Sequence, residues 1–215
     1  MKQLSFDLSR PPAHSAADFL PAPCNEAAMG WIERWPDWPG FALAVSGPAA
    51  SGKSHLAHIF AAKSASLMVP AAVLTPDNIP EISGDHGVVV EDADRGVDET
   101  ALFHLFNVQK EQNRPLLLTG REPPNRWKIA LPDLRSRLAT LPVAEIGSPD
   151  DHLLEALLVK LFADRQLRVG PDVVGYVLPR IDRSFAAVHA LVETLDKAAL
   201  EAGRAVTIPL VRGLL

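Results

Sequence analysis

The run GPAASGKS (47–54) sets two glycines, a lysine and a serine at the spacing G-x-x-x-x-G-K-[ST]. Residue types at that spacing point to one kind of chemistry, the capture of a nucleotide's phosphates. The backbone of Gly47, Pro48, Ala49, Ala50, Ser51 and Gly52 can curl into an anion nest at the positive end of the helix that follows. Glycine at 47 and 52 lets the main chain approach phosphate oxygens with no Cβ in the way. Lys53 is placed to neutralise the β- and γ-phosphates and the Ser54 hydroxyl to hold Mg²⁺, and His55 closes the binding segment. A second acidic position is needed for the metal, and VVVED (88–92) offers it at the end of an apolar run. Strand side chains alternate between faces, so Glu91 and Asp92 cannot share one role. With Glu91 on the metal, Asp92 is left to orient an attacking water. With Asp92 on the metal, Ala93 follows it and no base stands beside it. No N-K-x-D run for guanine recognition occurs, which favours adenine, as ADP or ATP.

Positioning these groups takes strands and helices in alternation. FALAVSG (41–47) reads as a buried strand entering the phosphate loop, and KSHLAHIFAAKS as the helix leaving it. Further strands are expected over 70–74, 87–94, 115–120 and within 139–147, with helices over 25–35 and 98–114. That alternation predicts an α/β fold, a five-stranded parallel sheet with helices on both faces. After Ser148 the pattern turns helical: SPDDHLLEALLVKLFADRQL opens with a serine cap, a proline and acids in its first turn. Helices are also expected in 170–181 and 182–203. The chain therefore divides into a tail (1–18), an α/β nucleotide-binding domain (19–148) and a small C-terminal helical lid (149–215). His55 and His58 stand three apart on one helix with no cysteine or third histidine to complete a metal site. Three tryptophans in 31–38 are expected to cover the sheet's edge.

Composition bounds the function. At 215 residues, 47% hydrophobic and 22% charged, the chain is sized for one substantial core. A net charge of -5 argues against strong autonomous DNA binding. The single Cys24 excludes an internal disulfide and suits a reducing compartment. No leader and no 18-residue apolar run is read in the sequence, so a cytoplasmic protein without a membrane partner is expected. The first residues are unusual: Leu4, Phe6 and Leu8 alternate with Gln3, Ser5 and Asp7 ahead of a proline-rich stretch. Alone, such a segment fits an edge strand added to the domain's own sheet, or a free end.

The segments FLPAPCNEAA (19–28), GPAASGKSHLAHIF, VVVEDAD, LLLTGREPP, LPDLRSRL and DRSFAAVHALVETLD together resemble the AAA+ domain of the DnaA family, over roughly residues 19–215. Within it the chain is most similar to the Hda type, which lacks the initiator's DNA-binding module; the sequence stops where that module would start. The resemblance implies a regulator that binds adenine nucleotide, with ADP the expected form. Such a regulator docks on the replicative sliding clamp (the DNA polymerase III beta subunit) and stimulates ATP hydrolysis by the initiator DnaA, preventing re-initiation. It implies that Gln3, Leu4, Ser5, Phe6, Asp7 and Leu8 form the clamp-binding peptide. It makes Arg137 an arginine finger acting in trans and Arg183 a sensor of the chain's own nucleotide, with Thr119 at the position that follows strand four. Asn25 and Leu20 stand where the family contacts adenine. Arg121 departs from the family pattern and, with the order Glu91–Asp92, implies weak or absent self-hydrolysis. Head-to-tail oligomers or a homodimer fit such proteins. Two other classes use the same loop: a small-molecule kinase, which would need an acceptor pocket and an arginine-rich lid, and a helicase-loader-type ATPase, which would need a basic surface.

Overall fold

The computed structural model describes residues 18–203 and 205–214. The expected tail, with the peptide Gln3 to Leu8, lies outside the described residues apart from Asp18. The chain enters through α1 (Glu26–Arg34) and alternates β1 (Ala42–Ser46), α2 (Lys53–Ser64), β2 (Leu67–Pro70), α3 (Ile79–Ser83), β3 (Val88–Glu91), α4 (Glu99–Glu111), β4 (Leu116–Gly120), α5 (Pro132–Leu138) and β5 (Val143–Glu145). The strands form one sheet in the order β2-β3-β4-β1-β5, and every pairing is parallel. This is the α/β architecture that the alternation predicts.

Parallel strands are covered on both faces, which is why β1 and β4 are buried along their whole length and read as unbroken apolar runs. The two-residue period sorts their side chains. Ala42, Val88, Val90, Leu116 and Leu118 face α3, α4 and α5. Leu43, Val45, Val89 and Leu117 face α1 and α2.

Several elements depart from expectation. The second strand is Leu67–Pro70 rather than 70–74, and Ala71–Val73 is a 3-10 turn. Proline lacks an N–H and ends the edge strand, so the apolar run after it turns instead of extending. The short helix α3 is not among the expected elements; Pro76 opens a 3-10 turn (Pro76–Asn78) ahead of it and Pro80 sits in its own first turn. Two of the three tryptophans pack on α2 rather than on the sheet's edge: Trp38 stacks on Phe60 at 4.9 Å and Trp35 meets the same ring edge-on at 6.0 Å. The Trp38 indole finds its partner in the Trp31 carbonyl oxygen at 2.8 Å.

Four helices follow: α6 (Asp151–Asp164), α7 (Pro171–Val177), α8 (Phe185–Ala202) and α9 (Ile208–Arg212). Asp150, not Ser148, caps α6, its carboxylate accepting the Leu153 N–H at 2.8 Å. Ser148 stands two positions before that cap, on the far side of Pro149. The helices share a core of their own, including Leu154, Leu158, Phe162, Val188, Val192 and Leu195. Leu153 and Phe185, near the starts of α6 and α8, leave that core and join Phe19, Leu56 and Ile146 beneath the sheet domain. The lid is thus anchored beside α2. Among the described residues no helix is long and apolar enough to cross a membrane.

Phe60 is fully buried between two indoles. Phe60→Ala should cost about 3–5 kcal/mol in chemical denaturation and red-shift the tryptophan emission of the native state.

Candidate nucleotide site

The loop between β1 and α2 is built by backbone geometry. Ala50 and Gly52 take left-handed conformations, with φ of 60° and 93°, so the chain turns sharply before the helix. The Gly47 N–H donates to the Gly120 carbonyl oxygen at 3.2 Å, tying the loop's start to the end of β4. A Cβ at residue 47 would lie 2.8 Å from the Ile146 Cβ and 2.9 Å from its carbonyl oxygen. Glycine is therefore required here by the end of β5 as well as by any phosphate.

Lys53 is buried, with only 8% of its surface exposed, and its Nζ donates to the carbonyl oxygens of Gly47 at 2.9 Å and Pro48 at 2.7 Å. Burial pushes the Lys53 pKa below its ordinary value; the Asp92 and Asp94 carboxylates oppose that, while Arg121 and Arg95 add to it. The buried hydroxyls of Ser46 and Ser51 have no hydrogen-bond partner among the described residues. An ammonium donating to two loop carbonyls, with unsatisfied hydroxyls at Ser46 and Ser51 at the two ends of that loop, fits an anion with several acceptor oxygens.

The acidic end of β3 faces this loop. Asp92 is exposed and left-handed, with φ 53°. Its N–H donates to the Thr119 Oγ1 at 3.1 Å, and the Ala93 N–H to the Thr119 carbonyl oxygen at 2.8 Å. Thr119 thus locks the ends of β3 and β4 together. Asp94 accepts the Arg121 N–H at 2.8 Å through Oδ2, while its buried Oδ1 is unpartnered. The carboxylates whose fields act on Lys53 are Asp92 and Asp94. The sequence reading gives Asp94 no role, because its partner is the Arg121 amide, 27 residues further along the chain. Among the described residues no three His, Cys, Asp or Glu side chains gather as a metal site. Magnesium keeps its waters and leans on substrate phosphates, so Ser54 and one β3 acid would suffice once phosphates are bound.

At the residues expected to line the base, Phe19 packs edge-on against the His55 ring at 5.4 Å, and Leu20 is half-buried. Asn25 is buried, and its amide is committed to the strap: Oδ1 accepts the Ala22 N–H at 2.8 Å and Nδ2 donates to the Leu20 carbonyl oxygen at 2.9 Å. The Gly147 N–H pins the strap through the Cys24 carbonyl oxygen at 2.8 Å. Asn25 therefore shapes this wall by holding it.

The two candidate arginines are placed differently. Arg183 precedes Ser184, the cap of α8, and pairs with Asp151 at 2.9 Å. Arg137 sits on α5, on the other face of the sheet from α2, with its guanidinium over the rings of Phe103 at 4.7 Å and Phe106 at 5.8 Å. The Glu99 carboxylate accepts the N–H groups of Ala130 at 2.9 Å and Leu131 at 2.6 Å, fixing the entry to α5. The structure does not bring Arg137 to the chain's own loop. A groove of about 500 Å³ between α6 and α7, lined by Val159, Phe162, Leu167 and Val174, involves none of these residues.

Residues 150–215 match the family described as Hda, lid domain. The whole fold is similar to domain III of the replication initiation protein DnaA from Thermotoga maritima, with a TM-score of 0.77 at 18% identity, covering 95% of this chain and 96% of that one. It is also similar to AMPPCP-bound DnaA from Aquifex aeolicus (TM-score 0.68, 15% identity, 89% of this chain and 67% of that one). The Thermotoga maritima RuvB Holliday junction branch migration motor shares the fold at a TM-score of 0.63 and 15% identity, over 88% of this chain and 65% of that one. These likenesses are of fold: a five-stranded parallel sheet flanked by helices, followed by a helical lid.

Two measurements probe the geometry. Because burial lowers the Lys53 pKa, this ammonium loses its proton at a lower pH than a free lysine, and bound phosphate should draw the proton back. ADP affinity should therefore fall as pH rises through the alkaline range below the ordinary lysine value, with proton uptake on binding visible by calorimetry in buffers of different ionisation enthalpy. Glu99→Ala should expose the Ala130 and Leu131 amides to hydrogen exchange and cost about 1–3 kcal/mol of stability.

Proposed function

We propose that this chain, an Hda-like, DnaA-related AAA+ protein, is a nucleotide-dependent regulator of the replication initiator. It holds ADP with Mg²⁺ in the loop at residues 47–55, docks on the sliding clamp through Gln3, Leu4, Ser5, Phe6, Asp7 and Leu8, and offers Arg137 to ATP held by DnaA. The single observation that carries this reading is the pairing of a phosphate-fitted loop, with Lys53 buried beneath it, with a lid that matches the Hda lid family.

The chemistry follows from the placements. Lys53 and the loop amides bind the chain's own phosphates. Glu91 or Asp92, with Ser54, would complete the shell of a cation resting on those phosphates, and Arg183 would close the lid onto them. Arg137 lies across the sheet from that nucleotide, supported by Phe103 and by the Glu99-anchored entry to α5. A guanidinium so placed is suited to a second subunit's nucleotide, where it would stabilise charge developing on the transferred phosphoryl group. The function is then activation of a partner, with little turnover at the chain's own site. Burying apolar anchors of the N-terminal peptide gives a modest, reversible contact that several clamp sites would strengthen. The initiator and the clamp are both cytoplasmic partners in this reading.

Arg137→Ala should leave ADP affinity unchanged and reduce stimulation of DnaA's ATPase by about 10³-fold or more, to background. Deleting residues 1–8 should abolish clamp pull-down with nucleotide binding intact. Stimulation that survives Arg137→Ala removes the finger, and phosphorylation of a small molecule without DnaA would instead support a kinase.

A further inference from the structure

The Arg183–Asp151 pair has a property that the nucleotide reading does not use. Asp151 is the first residue of α6, and Arg183 stands just before the Ser184 cap of α8. Their side chains meet at 2.9 Å while remaining 65% and 75% exposed. Two residues further along each helix, Leu153 and Phe185 insert into the cluster that holds Phe19, Leu56 and Ile146. Phe19 in turn touches the Gly52 position and the His55 ring, so the ion pair lies at the lid's attachment beside the phosphate loop. The neighbouring acid cannot substitute for Asp151, because the Asp150 carboxylate is committed to capping α6.

We propose that Asp151 sets the nucleotide affinity of this site by competing with the phosphates for the Arg183 guanidinium. The inference rests on the nucleotide reading above and adds a residue that opposes binding. A guanidinium keeps its charge at all working pH and always seeks an anion. Asp151 supplies one from the chain itself, through a single exposed contact of the kind that contributes little. A phosphate offers more charge and a two-pronged contact, so it displaces the carboxylate, and each binding event carries the cost of breaking the pair. Asp151 thereby makes ligand capture depend on the charge delivered to Arg183: a diphosphate can displace it, and an uncharged nucleoside cannot.

The experiment is a double-mutant cycle by calorimetry with ADP and, separately, adenosine, on the full chain. Asp151→Asn should tighten ADP about two- to fivefold, the gain expected on removing an exposed competitor, and should leave adenosine unchanged. Asp151→Ser should behave alike, and thermal melts should place both variants with the parent. Arg183→Ala should weaken ADP and erase the gain from Asp151→Asn. Unchanged or weaker ADP binding in Asp151→Asn overturns the proposal. So does a gain that persists in the Arg183→Ala background, since that would be a through-space field rather than competition, and so does an Arg183→Ala variant that binds ADP normally. If Lys53→Ala binds ADP as tightly as the parent, the site itself is wrongly placed, a failure separate from that of Asp151.

Discussion

A buried ammonium held by its own loop's carbonyls is the constraint around which this molecule is arranged. Removing a charge from water is costly unless polar partners replace the hydration shell. Here the partners are the Gly47 and Pro48 carbonyl oxygens, and they reach Lys53 only because the loop curls back over the start of α2. That curl requires left-handed backbone at Ala50 and Gly52 and the absence of a side chain at residue 47, where Ile146 closes in. β1 must therefore lie beside β5 as well as β4, and the observed strand order puts it there. The acids after β3 complete the balance, their field working against the burial that drives Lys53 toward neutrality.

The sheet then separates two kinds of work. On one face α1, α2, the 19–25 strap and the starts of the lid helices surround the loop. On the other, α3, α4 and α5 form a layer whose polar features concern orientation rather than capture: the Glu99 carboxylate on two backbone amides and Arg137 lying over two aromatic rings. The phosphate loop and the Arg137 guanidinium are thereby kept apart by a layer of buried β-branched and leucine side chains. Close-packed layers of this kind transmit displacement with little compliance.

Much of this was legible in the residues, for identifiable reasons. Fully buried parallel strands write themselves as apolar runs, so β1 and β4 fall within a residue of the expected bounds, while β3 stops at Glu91 and the acids after it turn away from the sheet; the phosphate loop follows from its spacing. Where a single residue's chemistry decides, the apolar pattern is silent. Pro70 ends an apolar run as a strand where the run itself invites extension, which moved β2. Ser148 is as good a cap as Asp150 on composition, and only the direction of the chain after Pro149 separates them. Asp94 and Glu99 were passed over because their partners, the amides of Arg121, Ala130 and Leu131, are about thirty residues away and no local pattern announces such bonds. The tryptophans were misplaced for the same reason, since their partner Phe60 belongs to another element.

The strand order also sets a timetable for synthesis. β1 pairs with β4 and β5, so the strand that leads into the phosphate loop gains its neighbours only after residues 116–120 and 143–145 have been made. Gly47 finds its hydrogen-bond partner at Gly120 and its steric wall at Ile146. A ribosome-bound fragment lacking those segments has the complete G-x-x-x-x-G-K-S motif without the Gly120 and Ile146 partners that fix its start. Contacts this distant in the chain form slowly, so the neighbours that hold the loop's shape are all present only once about two thirds of the polypeptide has been made.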